Sequence, residues 1–213
     1  MLPLRLPLCA LALAASFSAA SVTREPIVGL PCQGCEAVFE GIPSTIESIA
    51  QIAPATEPGE RLSITGVVRD ASGAPVAGIV VYAYHTNDRG IYPRPEKSFG
   101  AASASHGRLR AWTKSDANGR YAFETIRPAG YPDTINPAHI HLHVIEPGRC
   151  TYYIDNIHFT DDPRFTAAER RRLPDRGGSG IATPTRNASG TWHATRDIIL
   201  GKNIPGYTPR PSG

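Results

Sequence analysis

Leu62-Ser-Ile-Thr-Gly-Val-Val-Arg69 alternates apolar and polar residues over its first half, then runs into Asp70-Ala-Ser-Gly-Ala-Pro75. Alternation with a period of two marks a half-buried strand, and a cluster of Asp, Ser, Gly and Pro is turn chemistry. The same succession recurs down the chain. Ile79 to His85 is rich in β-branched and aromatic residues, and Asp116-Ala-Asn-Gly119 introduces Arg120-Tyr-Ala-Phe-Glu-Thr-Ile126. Further runs lie at Ala138 to Ile145, Thr151 to Ile154, Ile157 to Phe159 and Thr191 to Leu200. Short strands punctuated by turns predict a mainly β protein, an antiparallel or mixed β-sandwich with long loops and one or two short peripheral helices.

The composition agrees. Among 213 residues there are 20 Gly, 20 Pro and a single Met, which points away from a helical bundle. With 41% hydrophobic and 19% charged residues, the chain is too apolar for a disordered segment. The net charge of +3 is spread along the sequence, so no nucleic-acid partner is expected. Two helices are predicted. Thr166 and Glu169 have capping-box spacing at the head of a surface helix running to Leu173. Ser44 and Glu47 have the same spacing beside Ile46, Ile49 and Ile52, which Pro54, Pro58 and Gly59 then close. Asp175 to Gly190 reads as a Gly-rich loop carrying the sequon Asn187-Ala-Ser189.

At the start, Arg5 precedes an apolar stretch from Leu6 to Ala15, followed by Ser16, Ser18, Ala19 and Ala20. This is the layout of a secretory signal peptide over residues 1–20, and it predicts a secreted or periplasmic protein. Residues 21–60 then form a lead-in containing the first short helix, and residues 61–213 form the β-sandwich domain. No later segment is apolar for long enough to span a bilayer, so no membrane partner is expected after cleavage. The mature chain keeps Cys32, Cys35 and Cys150. A disulfide between Cys150 and one member of the Cys32/Cys35 pair is the expectation, with the pairing left open. The pair itself lacks the second CxxC of a zinc ribbon and any surrounding βαβ pattern.

The chemistry concentrates in Pro137-Ala-His139-Ile-His141-Leu-His143-Val-Ile145. On a strand the three histidines share one face, opposite Ile140, Leu142 and Val144. Neighbouring histidines sit about 6.5 Å apart along such a strand, so either pair can share one metal, whereas His139 and His143, about 13 Å apart, cannot. Glu146 after the histidines imitates half of a cupin motif, but its parity puts it on the other face. Tyrosine oxygen is the alternative. Tyr92 lies between Gly90-Ile91 and Pro93, and Tyr131 between Gly130 and Pro132, both in loops with no evident packing task. Two phenolates with two imidazoles favour Fe(III) over Zn(II) or Fe(II).

Gly66-Val-Val-Arg-Asp70, Gly73-x-Pro-Val76, Tyr84-His85, Gly90-Ile-Tyr92, Asp116-x-Asn-Gly-Arg-Tyr121, Thr125-Ile-Arg-Pro128, Gly130-Tyr-Pro132 and Pro137-Ala-His-Ile-His141 follow in that order. This ordered set resembles the catalytic core of the intradiol ring-cleavage dioxygenases, the superfamily of protocatechuate 3,4-dioxygenase and catechol 1,2-dioxygenase. The match runs from about Leu62 to Phe159, and the signal peptide and short length resemble the secreted single-domain branch. The resemblance implies a mononuclear non-haem Fe(III) held by Tyr92, Tyr131, His139 and His141, with a solvent hydroxide. It implies a catecholic small-molecule substrate, O2 as co-substrate and a muconate-type dicarboxylic acid as product. The tyrosine matching Tyr131 would leave the metal and accept a substrate proton.

One position departs from the pattern. The family typically has Arg before Pro-Ala-His-Ile-His, stabilising negative charge on the substrate, and here that position is Asn136. Asn136 can donate a hydrogen bond but supplies no charge. Arg108, Arg110 and Arg127 are substitutes to consider, and Asn156 lies near a polar position of the family. Two other readings compete: a non-catalytic transthyretin-like β-sandwich module, whose turn motifs are similar, and an iron-binding homologue with little turnover. Monomer and homodimer both stay open.

Overall fold

The alternation of residues 61–69 is borne out as a strand whose two faces differ. Leu62, Ile64 and Val68 are fully buried while Thr65 is exposed, in the computed structural model, which describes residues 24–32 and 34–210. The expected signal peptide lies outside the described residues. In chain order the strands are β1 (Ile49–Gln51), β2 (Arg61–Arg69), β3 (Val80–Tyr84), β4 (Arg110–Lys114), β5 (Arg120–Ile126), β6 (His139–Glu146), β7 (Cys150–Phe159), β8 (Ile181–Ala182), β9 (Thr185–Arg186), β10 (Trp192–Thr195) and β11 (Ile198–Ile199). Helix α1 (Ala167–Arg172) and 3-10 turns at Cys35–Phe39 and Ser103–His106 complete the set.

The strands form two sheets. One has the order β1-β5-β2-β10-β9, with β11 continuing along β2, and the other has the order β4-β3-β6-β7-β8. Parallel pairs (β1 with β5, β10 and β11 with β2, β7 with β8) make both sheets mixed. Leu62, Ile64, Tyr121 and Phe123 from the first sheet pack against Val81, Ile140, Leu142, Val144, Tyr152 and Ile154 from the second. Each such side chain contributes about 1.5–3 kcal/mol through burial. The fold is the expected mixed β-sandwich.

The five-stranded sheet is also covered on its outer face. Val80, Tyr82 and Tyr84 of β3 pack there with Val38 from the N-terminal segment. Trp112 Nε1 donates to the Val38 carbonyl (2.7 Å), and Arg110 Nη2 donates to that of Glu40 (2.9 Å). This cover matters because His139, His141 and His143 lie on that same outer face.

Helix α1 forms as predicted, with Thr166 Oγ1 accepting from the Glu169 N–H (3.2 Å). The helix expected after Ser44 does not form. The Glu47 and Ser48 carbonyls instead accept from Lys114 (2.9 Å) and Ala122 (2.8 Å), and Ile52 donates to Glu124 (2.9 Å). With Pro43 before it and β-branched Thr45, Ile46, Ile49 and Ile52 along it, the segment suits a sheet edge better than a helix.

Cysteine pairing also differs from expectation: Cys32 bonds Cys35, and Cys150 is a free buried thiol. Cys150 faces the inter-sheet core together with Tyr152 and Ile154, whereas the 35–39 turn places Val38 on the opposite face of that sheet. The runs Thr151 to Ile154 and Ile157 to Phe159 are one strand. Asp155 and Asn156 between them are absorbed by a register shift against His141 of β6. The run from Thr191 breaks at Arg196-Asp197, where the Arg196 carbonyl crosses Gly66 so closely that a Cβ at Gly66 would collide with it.

Candidate active site

Two loops and one strand build the site. The first loop follows β3 and turns on Asn87, whose Oδ1 accepts from the Arg89 and Ile91 N–H groups (3.0 Å each). The second follows β5 and is tied to the first: Ala129 N–H donates to the Asn87 carbonyl (3.0 Å), and Thr86 Oγ1 to the Ala129 carbonyl (2.7 Å). The loops touch at Gly90, whose φ is +76° and where a Cβ would collide with the Gly130 carbonyl. Glycine therefore sets the approach, and the next residues but one and one, Tyr92 and Tyr131, are held side by side.

Strand β6 brings the imidazoles. Its first residues are pinned by Asp162, which accepts from the Ala138 N–H (2.6 Å). The Tyr92 and Tyr131 hydroxyls are 2.8 Å apart, Tyr131 is 3.3 Å from His139 Nε2, His139 Nε2 is 3.1 Å from His141 Nε2, and His141 Nε2 is 2.9 Å from the Tyr92 hydroxyl. The four side chains singled out from sequence thus close a ring of four donor atoms.

The tautomers follow from the opposite edge of each ring. His139 Nδ1–H donates to the Pro137 carbonyl (2.7 Å) and His141 Nδ1–H to Asn156 Oδ1 (3.1 Å). Both Nε2 atoms are left as lone pairs facing each other, and the two phenol protons cannot satisfy all four close contacts. A cation at the centre would. Donors about 2.0–2.2 Å from a shared ion sit roughly 3 Å from one another, as these do. The oxygen-and-imidazole set, with each histidine oriented by an outer acceptor, fits a hard iron-type ion.

A family described as dioxygenase matches residues 39–172, a span that holds both tyrosines and both histidines. The chain belongs to the intradiol dioxygenase superfamily.

Two catechol 1,2-dioxygenases of Acinetobacter lwoffii are similar. Enzyme 1 is 36% identical over 109 residues, 45% of this chain and 34% of its own, and enzyme 2 is 32% identical over 136 residues, 51% and 48%. The chain spans about a third to a half of the length of these curated relatives. A solved dioxygenase domain, from a dioxygenase carbohydrate-binding protein fusion of Streptomyces sp. SirexAA-E, shares the fold. It superposes with TM-score 0.54 at 22% identity, covering 76% of this chain and 94% of that one.

The electrostatics of this dioxygenase-family site favour neutral ligands until a cation arrives. Burial pushes the Tyr92 phenol well above its usual value, and its hydrogen bond with Tyr131 adds to the shift. Burial likewise holds His139 below 6.5, and His141 well below it, with His139 and His143 adding to the latter. Metal binding here would release phenol protons.

The other sequence candidates lie elsewhere. Asn136 is exposed on the second loop; its N–H donates to Thr134 Oγ1 (3.2 Å), and none of its hydrogen bonds reaches the four donor atoms. Arg108 pairs with Glu57 (2.6 Å), Arg127 grips Asp161 through two 2.8 Å bonds, and Arg110 lies over Trp112. None joins the donor ring. Sequence reasoning missed three supports: the Pro137 carbonyl, Asp162, and Tyr84, whose ring stacks on His141 at 4.4 Å. Arg164, also missed, donates to the Tyr131 carbonyl (3.2 Å). Asp162 also accepts from the Arg164 N–H (2.8 Å), a local turn that carries no sign of its distant partner. A groove of about 450 Å³ lined by Thr65, Val67, Arg120 and Ala122 lies on the other sheet and takes no part.

Proposed function

We propose that this protein is an Fe(III)-dependent intradiol dioxygenase that cleaves a catechol-type aromatic with O2 to a muconate-type dicarboxylic acid. The observation that carries the proposal is the convergence of two phenol oxygens and two imidazole lone pairs within 2.8–3.3 Å. Fe(III) bound there would supply a Lewis acid that holds the catechol oxygens and makes the ring reactive toward O2. Tyr92, His139 and His141 would hold the ion throughout. Tyr131 sits in a loop held by backbone contacts, the Thr86 hydroxyl and the exposed Arg164, and its phenol oxygen would take up a substrate proton. Pro137 and Asn156 keep both imidazoles in the ligating tautomer. Asn136, exposed on the second loop, supplies no charge where an arginine would, which supports slower turnover than an arginine would give.

Relatives bearing the names catechol, chlorocatechol, protocatechuate and hydroxyquinol dioxygenase support the substrate class. The apolar stretch Leu6 to Ala15 supports an extracytoplasmic location after cleavage near Ala20. No helix among the described residues is long and apolar enough to cross a membrane. The test is the visible spectrum of the iron-loaded protein, anaerobically, before and after catechol, followed by admission of O2. A tyrosinate-to-iron band that shifts with catechol and bleaches with formation of a muconate is expected. An iron-bound protein without that band would exclude the tyrosines as ligands.

A further inference from the structure

The outer face of β6 carries a third histidine that the proposed reaction does not use. His143 is 2% exposed, and neither ring nitrogen has a hydrogen-bond partner among the described residues. Buried polar atoms are seldom left unpaired, and an unpaired pair of nitrogens on one ring asks for a ligand. The neighbours supply the context. One nitrogen of His143 and the Sγ atoms of Cys32 and Cys35 all lie within 4.8 Å of one another. Gly34 closes the turn between the cysteines with φ +75°, and a Cβ there would collide with His106 Nε2. His106 is buried as well, its Nδ1 is bonded to the Tyr82 hydroxyl (2.9 Å), and its Nε2 is turned toward the cysteine turn.

We propose that Cys32, Cys35 and His143 form a second metal site, separate from the tyrosine ring, which opens when the disulfide is reduced and takes one borderline-soft divalent cation of the zinc class. Solvent or another donor would complete the shell, and His106 Nε2 faces the Gly34 backbone between the two cysteines. Two cysteines separated by two residues on a tight turn are a standard half of a tetrahedral zinc shell, and imidazole completes such shells. Thiolate selects against the hard ion that suits the tyrosines. An external dithiol gives two electrons and two protons to the Cys32–Cys35 bond and leaves as its own disulfide. The cation then displaces the two thiol protons to solvent and binds both thiolates. With the disulfide closed, the sulfurs carry no negative charge and the site is switched off.

The experiment uses the iron-loaded protein, oxidised or reduced with a phosphine, titrated with Co2+ and then Zn2+ under anaerobic conditions. A thiolate-to-cobalt charge-transfer band saturating at one equivalent is expected in the reduced protein alone, removed by one equivalent of zinc. Cys32→Ser/Cys35→Ser should lack the band while keeping its circular dichroism. His143→Gln should weaken zinc binding roughly tenfold or more, and if it fails to fold, Cys35→Ser serves in its place. The proposal is overturned by a reduced, folded protein without the band, by a band that persists in the double variant, or by loss of the fold on reduction.

Discussion

The two ends of the histidine row on β6, His139 to His143, bury the same side chain on the same face and treat it in opposite ways. At one end, His139 and His141 each give Nδ1–H to an oxygen acceptor and turn Nε2 toward a phenol. At the other, His143 has no acceptor for either nitrogen among the described residues and faces sulfur. Tyr84 and His106 stand between the two ends: the rings stack at 3.6 Å, and the other face of the tyrosine meets His141. The strand's period therefore sets which residues share a face, while the flanking loops decide what each can bind. Oxygen arrives with the loops after β3 and β5, sulfur with the N-terminal turn.

The sharpest way to break the comparison is to remove one ligand at a time. His139→Ala should abolish iron retention, with affinity down by more than about 100-fold, whereas Cys32→Ser/Cys35→Ser should leave the tyrosinate band untouched. Metal analysis after gel filtration checks both arms. If the cysteine variant loses iron as well, the two ends are one centre.

Next in size is a pH effect read at a histidine that belongs to neither end. His85 is fully buried and bonded to the Thr86 carbonyl (2.6 Å) and Thr125 Oγ1 (2.7 Å), and burial pushes it down to about 4. Its folded value lies below its unfolded one, so the unfolded chain binds the extra proton between about pH 6.5 and 4. The stability this neutral histidine contributes is present above that window and is lost as the pH falls through it, on the order of 3 kcal/mol. Urea midpoints of the metal-free protein across the window should fall less steeply in His85→Gln than in wild type. Equal slopes would mean that His85 is not the group that titrates.

The smallest effect concerns the tautomer. Asn156→Leu removes the acceptor of His141 Nδ1–H and should cost about 10–100-fold in iron affinity, with the sulfur end unchanged. An affinity equal to wild type would show that the imidazole needs no outer acceptor.

Much of this was legible in the sequence, for identifiable reasons. Strand β2 and the His139/His141/His143 face could be read because alternation reports directly on burial. Tyr92 and Tyr131 could be singled out because glycine and proline on either side left them no packing task. The segment after Ser44 misled because capping-box spacing is local, whereas the carbonyls of Glu47 and Ser48 are claimed by strands some seventy residues away. Cysteine pairing failed for the same reason: which face of the sheet Cys150 occupies depends on the register of β7, and spacing carries no register. Asp155-Asn156 looked like an interruption but is the bulge that hands His141 its acceptor.

The loop that follows Tyr92 has a narrow base. Arg108 N–H donates to the Pro93 carbonyl (2.8 Å), and Gly107 packs against Tyr92 Cβ. Residues 94–105 thus leave and return through a backbone clasp beside Tyr92, while Glu40 holds their far side through the Ser103 N–H (2.7 Å). Such a clasp lets the segment lengthen, shorten or change its side chains without dragging Tyr92 with it. The insert and the frame that holds the tyrosine can then change independently of each other.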